Sequence, residues 1–193
     1  MKFTTIITEI TIKVSLEKTW DVLYTHFGDV SLFNPNLSGS HFTNSPIVAI
    51  GSERECRINK KTYVYERITG ADPLKNVTIE VTGGNMSLIK TMQVEIHLFK
   101  PSPGYTTVTT IARFTIQPRV LRFLMRRVYK SKLTDMLIGL KYYLETGTSV
   151  TKNTYHLIFQ NHQLLGASES FQDIQISKNS LCSDCSICCH CQK

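Results

Sequence analysis

Residues 118–147 read PRVLRFLMRRVYKSKLTDMLIGLKYYLETG and form the longest segment of the chain with helical periodicity. Pro118 suits the first turn of a helix, Gly147 is a typical C-terminal stop, and only Gly139 interrupts the stronger helix formers between them. At 3.6 residues per turn, one apolar face contains Tyr129, Leu133, Met136, Leu137, Leu140 and Leu144. The segment therefore predicts one long helix that can lie across a sheet.

The chain before this helix is predicted to contain seven strands and two short helices. Residues 3–14 alternate between apolar and polar and are rich in Thr and Ile, which favours a first strand. Ser15 is a suitable N-cap for a first short helix, and Asp29 for a second. Turn residues divide the remaining segments, which are predicted strands at about 39–45, 51–58, 62–70, 75–82, 87–100 and 105–116.

The order of these elements predicts an α+β fold. Short links favour antiparallel neighbours, and the alternation in the last strands gives the sheet one polar and one apolar face. Only the long helix can cover the apolar face. We therefore predict a helix-grip domain over residues 1–147, in which a seven-stranded antiparallel sheet wraps around the C-terminal helix. Residues 148–193 are expected to be a flexible C-terminal extension with a cysteine-rich end, and residues 153–180 within it a loose tail or a marginal helix.

Several strings within residues 3–147 resemble the SRPBCC superfamily, the START-like or polyketide cyclase/dehydrase-like helix-grip proteins. They are SLEKTWDVL after the first strand, DVSLFNPNLSGS, GSERECRI, YERITGADPL and the closing GLKYYLETG. None is a catalytic signature. The resemblance implies binding of a lipid, polyketide or similar small hydrophobic or amphipathic molecule between sheet and helix, without a cofactor. Some members of the superfamily are enzymes, and many are carriers or sensors.

The residues predicted to line this cavity share the inward parity of their strands or the apolar face of the helix. They are Arg54, Cys56, Glu66, Met92, Val94, Thr110, Ala112, Phe114, Leu133, Met136, Leu137 and Leu140.

The hairpin of residues 51–70 allows two registers. One pairs Arg54 with Glu66 on the inward face, where the pair could orient a ligand carbonyl or act in acid–base chemistry. The other places Tyr63, Tyr65 and Arg67 opposite Arg54 and Cys56. A cyclase or dehydratase would use Arg54, Glu66 and Tyr65 as its catalytic candidates. A purely structural ion pair is the simpler alternative.

Basic residues are concentrated in the first half of the long helix. The formal net charge of the chain is +7. Residues 119–132 contain no acidic residue and account for nearly all of this charge. Their basic residues are Arg119, Arg122, Arg126, Arg127, Lys130 and Lys132. Such a helix is typical of a protein that docks on an anionic membrane surface, an acidic partner or an anionic ligand, and also of a solvated face. A nucleic-acid partner is not expected.

If the apolar face of the helix is extended from Tyr129 toward the N-terminus at 3.6 residues per turn, it includes Arg126 and Arg122. Because buried unpaired arginines are costly, we expect the helix to kink or break between about Val128 and Ser131. The alternative is that the two arginines lie at the mouth of the cavity.

The N-terminus, the absence of catalytic motifs and the cysteines at the chain end bear on localisation, catalysis and metal binding. The first residues lack a secretory signal pattern, which predicts a cytoplasmic protein, and no nucleophile motif or phosphate loop is present. No metal site is expected in the domain. The candidate metal ligands lie at the chain end and are Cys182, Cys185, Cys188, Cys189, His190 and Cys191.

Overall fold

A computed structural model describes residues 3–44, 47–86, 88–164 and 170–171. Seven strands form one antiparallel sheet, and the long helix follows them, as the sequence predicted. The strands are β1 Thr4–Ile12, β2 Gly39–Phe42, β3 Glu53–Arg57, β4 Tyr63–Asp72, β5 Asn76–Gly84, β6 Ile89–Phe99 and β7 Thr106–Ile116. The helices are α1 Leu16–Trp20, α2 Arg122–Thr146 and α3 Lys152–Leu164.

The sheet has the strand order β1-β7-β6-β5-β4-β3-β2, so β1 and β2 are its two edges. Each strand from β2 to β7 pairs with its neighbour in sequence through a hairpin, and β1 closes the order by pairing with β7. Alternation along the strands directs one side chain in two to the inner face. In β7 this alternation buries Val108, Thr110, Ala112 and Phe114.

Two short helical segments follow β1. The side chain of Ser15 accepts a hydrogen bond from the N–H of Lys18 and caps α1, which continues into a π-helical turn at Asp21–Thr25. A 3-10 helix at Phe27–Leu32 follows, and Asp29, the expected N-cap of the second helix, lies inside it. Gly28 lies in the same segment, and a Cβ there would lie 2.6 Å from the ring of Phe42.

Helix α2 is continuous from Arg122 to Thr146, so the expected kink near Val128 is wrong. Its apolar face is the predicted one: Leu133, Leu137, Leu140 and Leu144 are buried, while Tyr129 and Met136 are partly buried. A left-handed Gly147 ends the helix, and its N–H donates to the carbonyl of Tyr143. The helix runs closest to the edge strand β1.

The inward face of the first half of α2 differs from the predicted one. Leu121, Met125 and Tyr129 pack against the buried side chains of β7, whereas Arg122 and Arg126 are exposed. The kink was predicted because Arg122 and Arg126 were assigned to the inward face, one residue away from Leu121 and Met125, which occupy it. Steps of four residues from Tyr129 reach apolar side chains, and therefore no arginine has to be buried.

Helix α3 packs against α2, and Ile10 of β1 contacts the same apolar cluster. Ile138 of α2 is buried there with Val150, Ile158 and Phe171. Tyr155 donates a hydrogen bond of 2.8 Å to the carboxylate of Asp135. The segment expected to be a loose tail or a marginal helix thus begins with a helix that covers α2. None of the described helices has the length and apolarity needed to cross a bilayer.

A buried ion pair links α2 to β1. Lys141 Nζ lies 2.7 Å from Glu145 Oε1, and the two side chains are 5% and 0% exposed. Lys141 also donates to the carbonyl of Thr11, and Glu145 accepts from the backbone N–H groups of Lys13 and Phe171. The pair therefore holds together β1, the end of α2 and residues 170–171.

Candidate functional site

Most of the predicted ligand-binding side chains lie on the inner face of the sheet or on the side of α2 that packs against it. Arg54 packs instead against Phe27 of the 3-10 helix. The buried ones are Arg54, Cys56, Thr110, Ala112, Phe114, Leu133, Leu137 and Leu140. The partly exposed ones are Glu66, Met92, Val94 and Met136. Thr110 does not offer a free hydroxyl, because its Oγ1 lies 2.6 Å from Thr8 Oγ1. Their role in binding a ligand stays a prediction.

Apolar side chains on the inner face of the sheet and on the side of α2 that packs against it remain partly exposed. They come from β6 and α2, and we call them the inner apolar surface: Met92, Val94, Met125, Tyr129 and Met136. Val94 pairs with the buried Ala112 and Ile79, which shows that it faces inward. Partly exposed apolar groups on an inner face provide contact area for an apolar molecule.

Of the two possible hairpin registers, the structure has the one that pairs Arg54 with Glu66. Arg54 donates from Nε and Nη2 to Glu66 Oε2, at 2.9 and 2.6 Å. Its Nη1 donates to the carbonyl of Phe27 at 2.6 Å, and its guanidinium lies 3.9 Å from the centre of the Phe27 ring. The cation is thus fully engaged by neighbouring groups of the protein.

The environment of Arg54 keeps it charged. Burial alone would lower the pKa of its guanidinium, but the negative charge of Glu66 raises the pKa above its ordinary value. The charge of Arg54 therefore serves to hold the carboxylate of Glu66 in place on the inner face.

Glu66 keeps one oxygen available. The hydrogen bonds from Arg54 and the weak one from the Cys56 thiol all converge on Oε2. Oε1 has no hydrogen-bond partner in the described part of the chain, and the side chain is 22% exposed. Chemically, Oε1 can accept one hydrogen bond from a hydroxyl or N–H group.

Tyr65 does not join this pair. It precedes Glu66 in β4, pairs with Glu55 and stacks edge-on with Tyr63 at 5.4 Å, on the outer face of the sheet. The structure therefore separates one of the three catalytic candidates from the other two. Tyr129 is a different inward phenol, which lies 5.1 Å from the Phe114 ring; burial raises its pKa to about 12, so it stays protonated at neutral pH.

Cys56 is expected to be chemically inert in the folded protein. It is 1% exposed, burial raises the pKa of its thiol, and the carboxylate of Glu66 raises that pKa further. Alkylation of Cys56 by iodoacetamide at neutral pH should be at least about tenfold slower in the folded than in the unfolded protein. Peptide mapping by mass spectrometry measures both rates. Equal rates would show that Cys56 is accessible.

A cleft of about 200 Å³ lies outside the predicted site, between the short helices and the end of α2. Its lining residues are Lys18, Asp21, Val22, His26, Asp29, Leu32, Phe33 and Tyr143. His26 lies 3.3 Å from Asp29 and 3.6 Å from Asp21, and all three are half exposed. The sequence contained no motif for this cleft, because its residues are brought together by the fold. It is smaller than a typical small-molecule pocket.

The predicted metal ligands at the chain end, from Cys182 to Cys191, lie outside the described residues. Among residues 3–44, 47–86, 88–164 and 170–171, no three His, Cys, Asp or Glu side chains lie close enough together to hold a metal ion.

No protein-family model and no curated protein matches the chain. Solved structures do match its fold. The structure of Ara h 8.0201 has a TM-score of 0.61 at 14% identity, with 74% of this chain and 98% of that chain covered. Ginseng major latex-like protein 151 from Panax ginseng has a TM-score of 0.63 at 15% identity, with 74% and 97% covered. XoxI from Bacillus cereus has a TM-score of 0.62 at 17% identity, with 75% and 96% covered.

At these identities the likeness concerns the fold. The matched proteins are covered almost whole. The seven-stranded antiparallel sheet and the long final helix of this chain are those that the sequence predicted. The chain therefore has the same helix-grip fold as these three proteins.

Proposed function

We propose that the protein binds a small apolar or amphipathic molecule between the sheet and α2, as a carrier or sensor. The observation that carries this proposal is the inner apolar surface. Its side chains remain partly exposed although α2 stands over the inner face of the sheet. A ligand that covered them would remove apolar area from water, at about 25 cal/mol per Å².

The same face contains a polar group that would orient such a ligand. Glu66 Oε1 is an acceptor without a partner among the described residues, and Arg54 fixes the carboxylate. Because a fixed carboxylate repels anions and accepts hydrogen bonds, we expect a neutral ligand with a hydroxyl or N–H donor. A free fatty acid should bind less well than the alcohol of the same chain length.

We propose binding rather than catalysis. An acid–base reaction on the inner face would need a second proton-transfer group near Glu66, and Tyr65 lies on the other face of the sheet. The guanidinium of Arg54 is held by Glu66 and by the carbonyl of Phe27.

The direct test is native mass spectrometry of the freshly purified protein. We expect an adduct of small-molecule mass that collisional activation removes from the folded protein. Extraction with organic solvent should yield the same molecule for identification. If the protein has no adduct, and takes up none from a mixture of long-chain alcohols, sterols and polyketide-like aromatics, the proposal is wrong.

Glu66→Gln should reduce the preference for a hydrogen-bond donor. Comparing a long-chain alcohol with its methyl ether isolates the donor, and we expect the Kd ratio to fall by about five- to tenfold in the variant, since a bond to a charged acceptor is stronger. Isothermal titration measures both constants. Glu95→Gln, on the outer face of the sheet, is the matched control and should leave the ratio unchanged. An unchanged ratio in Glu66→Gln would contradict the assigned role.

A further inference from the structure

We propose that the first half of α2 and the turn before it dock the protein on the surface of an anionic lipid bilayer. This goes beyond ligand binding between the sheet and the helix. The segment, residues 120–132, we call the docking segment. It contains the unexplained basic window of the sequence, and the structure shows which of its side chains face outward.

The docking segment touches the rest of the protein along one narrow line. Leu121, Met125 and Tyr129, each four residues apart, are partly buried against the cluster that contains Phe114 and Ile116. Every other side chain from 120 to 132 is exposed. Most of the circumference of this helical segment therefore faces solvent.

Large apolar side chains occupy this outward surface. Val120 is 85% exposed, Phe123 81%, Leu124 57% and Val128 41%. They lie within three turns, so that neighbours three and four residues apart share one side of the helix. Single exposed apolar residues are ordinary, but several together on one side mark an interaction surface.

Cations surround these apolar side chains. Arg122, Arg126, Arg127 and Lys130 are exposed, and no carboxylate of the described residues forms an ion pair with them. Lys132, at the end of the segment, lies 3.8 Å from Asp135. The outward surface is thus strongly positive, and the complementary surface must be negative.

The combination favours a lipid bilayer over other polyanions. In an interfacial helix the apolar side chains enter the acyl region, and long Arg and Lys side chains reach back to the headgroups. A nucleic acid would use the cations through its phosphates and would leave Phe123 and Leu124 in water. An acidic protein partner is the remaining alternative, and the test distinguishes it.

The first test uses sedimentation with vesicles of phosphatidylcholine that contain about one-third phosphatidylserine. The full chain should bind these vesicles, bind pure phosphatidylcholine much less, and bind less as salt rises. Arg126→Gln/Arg127→Gln should weaken binding about tenfold, from the loss of two surface cations. Lys60→Gln/Lys61→Gln removes the same charge from an exposed turn and should have little effect.

The second test removes the apolar contribution. Phe123→Ser/Leu124→Gln keeps the charge and the helix propensity nearly constant and should weaken vesicle binding by about tenfold. Leu157→Gln, at an exposed position of α3, is the control and should bind like the wild type. Circular dichroism of each variant shows whether it is folded, as expected for exposed sites.

The proposal is wrong if the folded protein does not bind the anionic vesicles. It is also wrong if the apolar variant binds them as the wild type does, or if the two control variants lose as much binding as the docking-segment variants. The partner would be an acidic macromolecule rather than a bilayer if the protein bound soluble polyglutamate or RNA as tightly as the anionic vesicles, and if Phe123→Ser/Leu124→Gln did not weaken that binding.

Discussion

Replacing Glu145 by alanine should lower the free energy of unfolding by about 3–5 kcal/mol. The substitution removes the partner of Lys141, whose side chain is only 5% exposed, and leaves that cation uncompensated. It also removes the acceptor of the backbone N–H groups of Lys13 and Phe171. Urea unfolding followed by circular dichroism measures the change, and the midpoint should fall without a change in slope.

Two further variants show whether the loss of stability in Glu145→Ala comes from the burial of the ion pair or from the loss of any ion pair. The exposed pair Lys75 and Asp72 has the same kinds of charge, with side chains 73% and 50% exposed, so Asp72→Ala should cost less than about 1 kcal/mol. Lys141→Met/Glu145→Leu removes both buried charges and should be more stable than Glu145→Ala alone. A loss in Glu145→Ala as small as that in Asp72→Ala would show that the ion pair is not buried in solution.

Gly139→Ala should destabilise the protein by about 3 kcal/mol, at the upper end of the range for overpacking. In an isolated helix this substitution would be favourable by about 1 kcal/mol. Here α2 approaches the loop after the 3-10 helix so closely that a Cβ at position 139 would overlap the carbonyl oxygen of Phe33. It would also lie 3.2 Å from Pro35 Cδ. Thermal and urea unfolding measure the loss.

Ser131→Ala is the matched helix substitution, because Ser131 is exposed on the same helix. It should be neutral or stabilising by a few tenths of a kcal/mol. If Gly139→Ala were as stable as Ser131→Ala, the close approach of α2 to Phe33 would not exist in solution. The glycine would then be explained only by its tolerance in a helix.

The sequence was sufficient to predict the architecture, because each strand has a period of two and ends at turn residues. The pattern that buries Val108, Thr110, Ala112 and Phe114 is visible in β7 alone. Gly147 was a reliable stop, since only a residue that adopts a left-handed conformation suits that position. The seven strands and the long helix follow from such local signals.

The candidate site could be predicted only in part. Parity placed Arg54 and Glu66 on possible inward positions, but two hairpin registers were compatible with the turn, and tertiary structure selects between them. The bond from Arg54 to the carbonyl of Phe27 joins residues of distant elements, and no local pattern predicts it.

The inward face of the first half of α2 was predicted wrongly, because a period of 3.6 residues leaves the position of the apolar face uncertain by about one residue over several turns. A shift of one residue exchanges Met125 for Arg126 on the inward face. The buried pair of Lys141 and Glu145 has the spacing of an ordinary exposed pair, four residues apart. It is buried because α2 lies between β1 and residues that follow the helix, which the sequence pattern did not indicate.

The central claim is that an apolar molecule binds against the inner apolar surface, and titration with the neutral fluorescent probe N-phenyl-1-naphthylamine tests it most directly. We predict saturable binding of one probe that a long-chain alcohol displaces. Val94→Trp, which fills the inner face, should weaken it at least about tenfold, whereas Ile111→Trp on the outer face should not. Absence of saturable binding by the folded protein, or equal binding by both variants, would contradict the account.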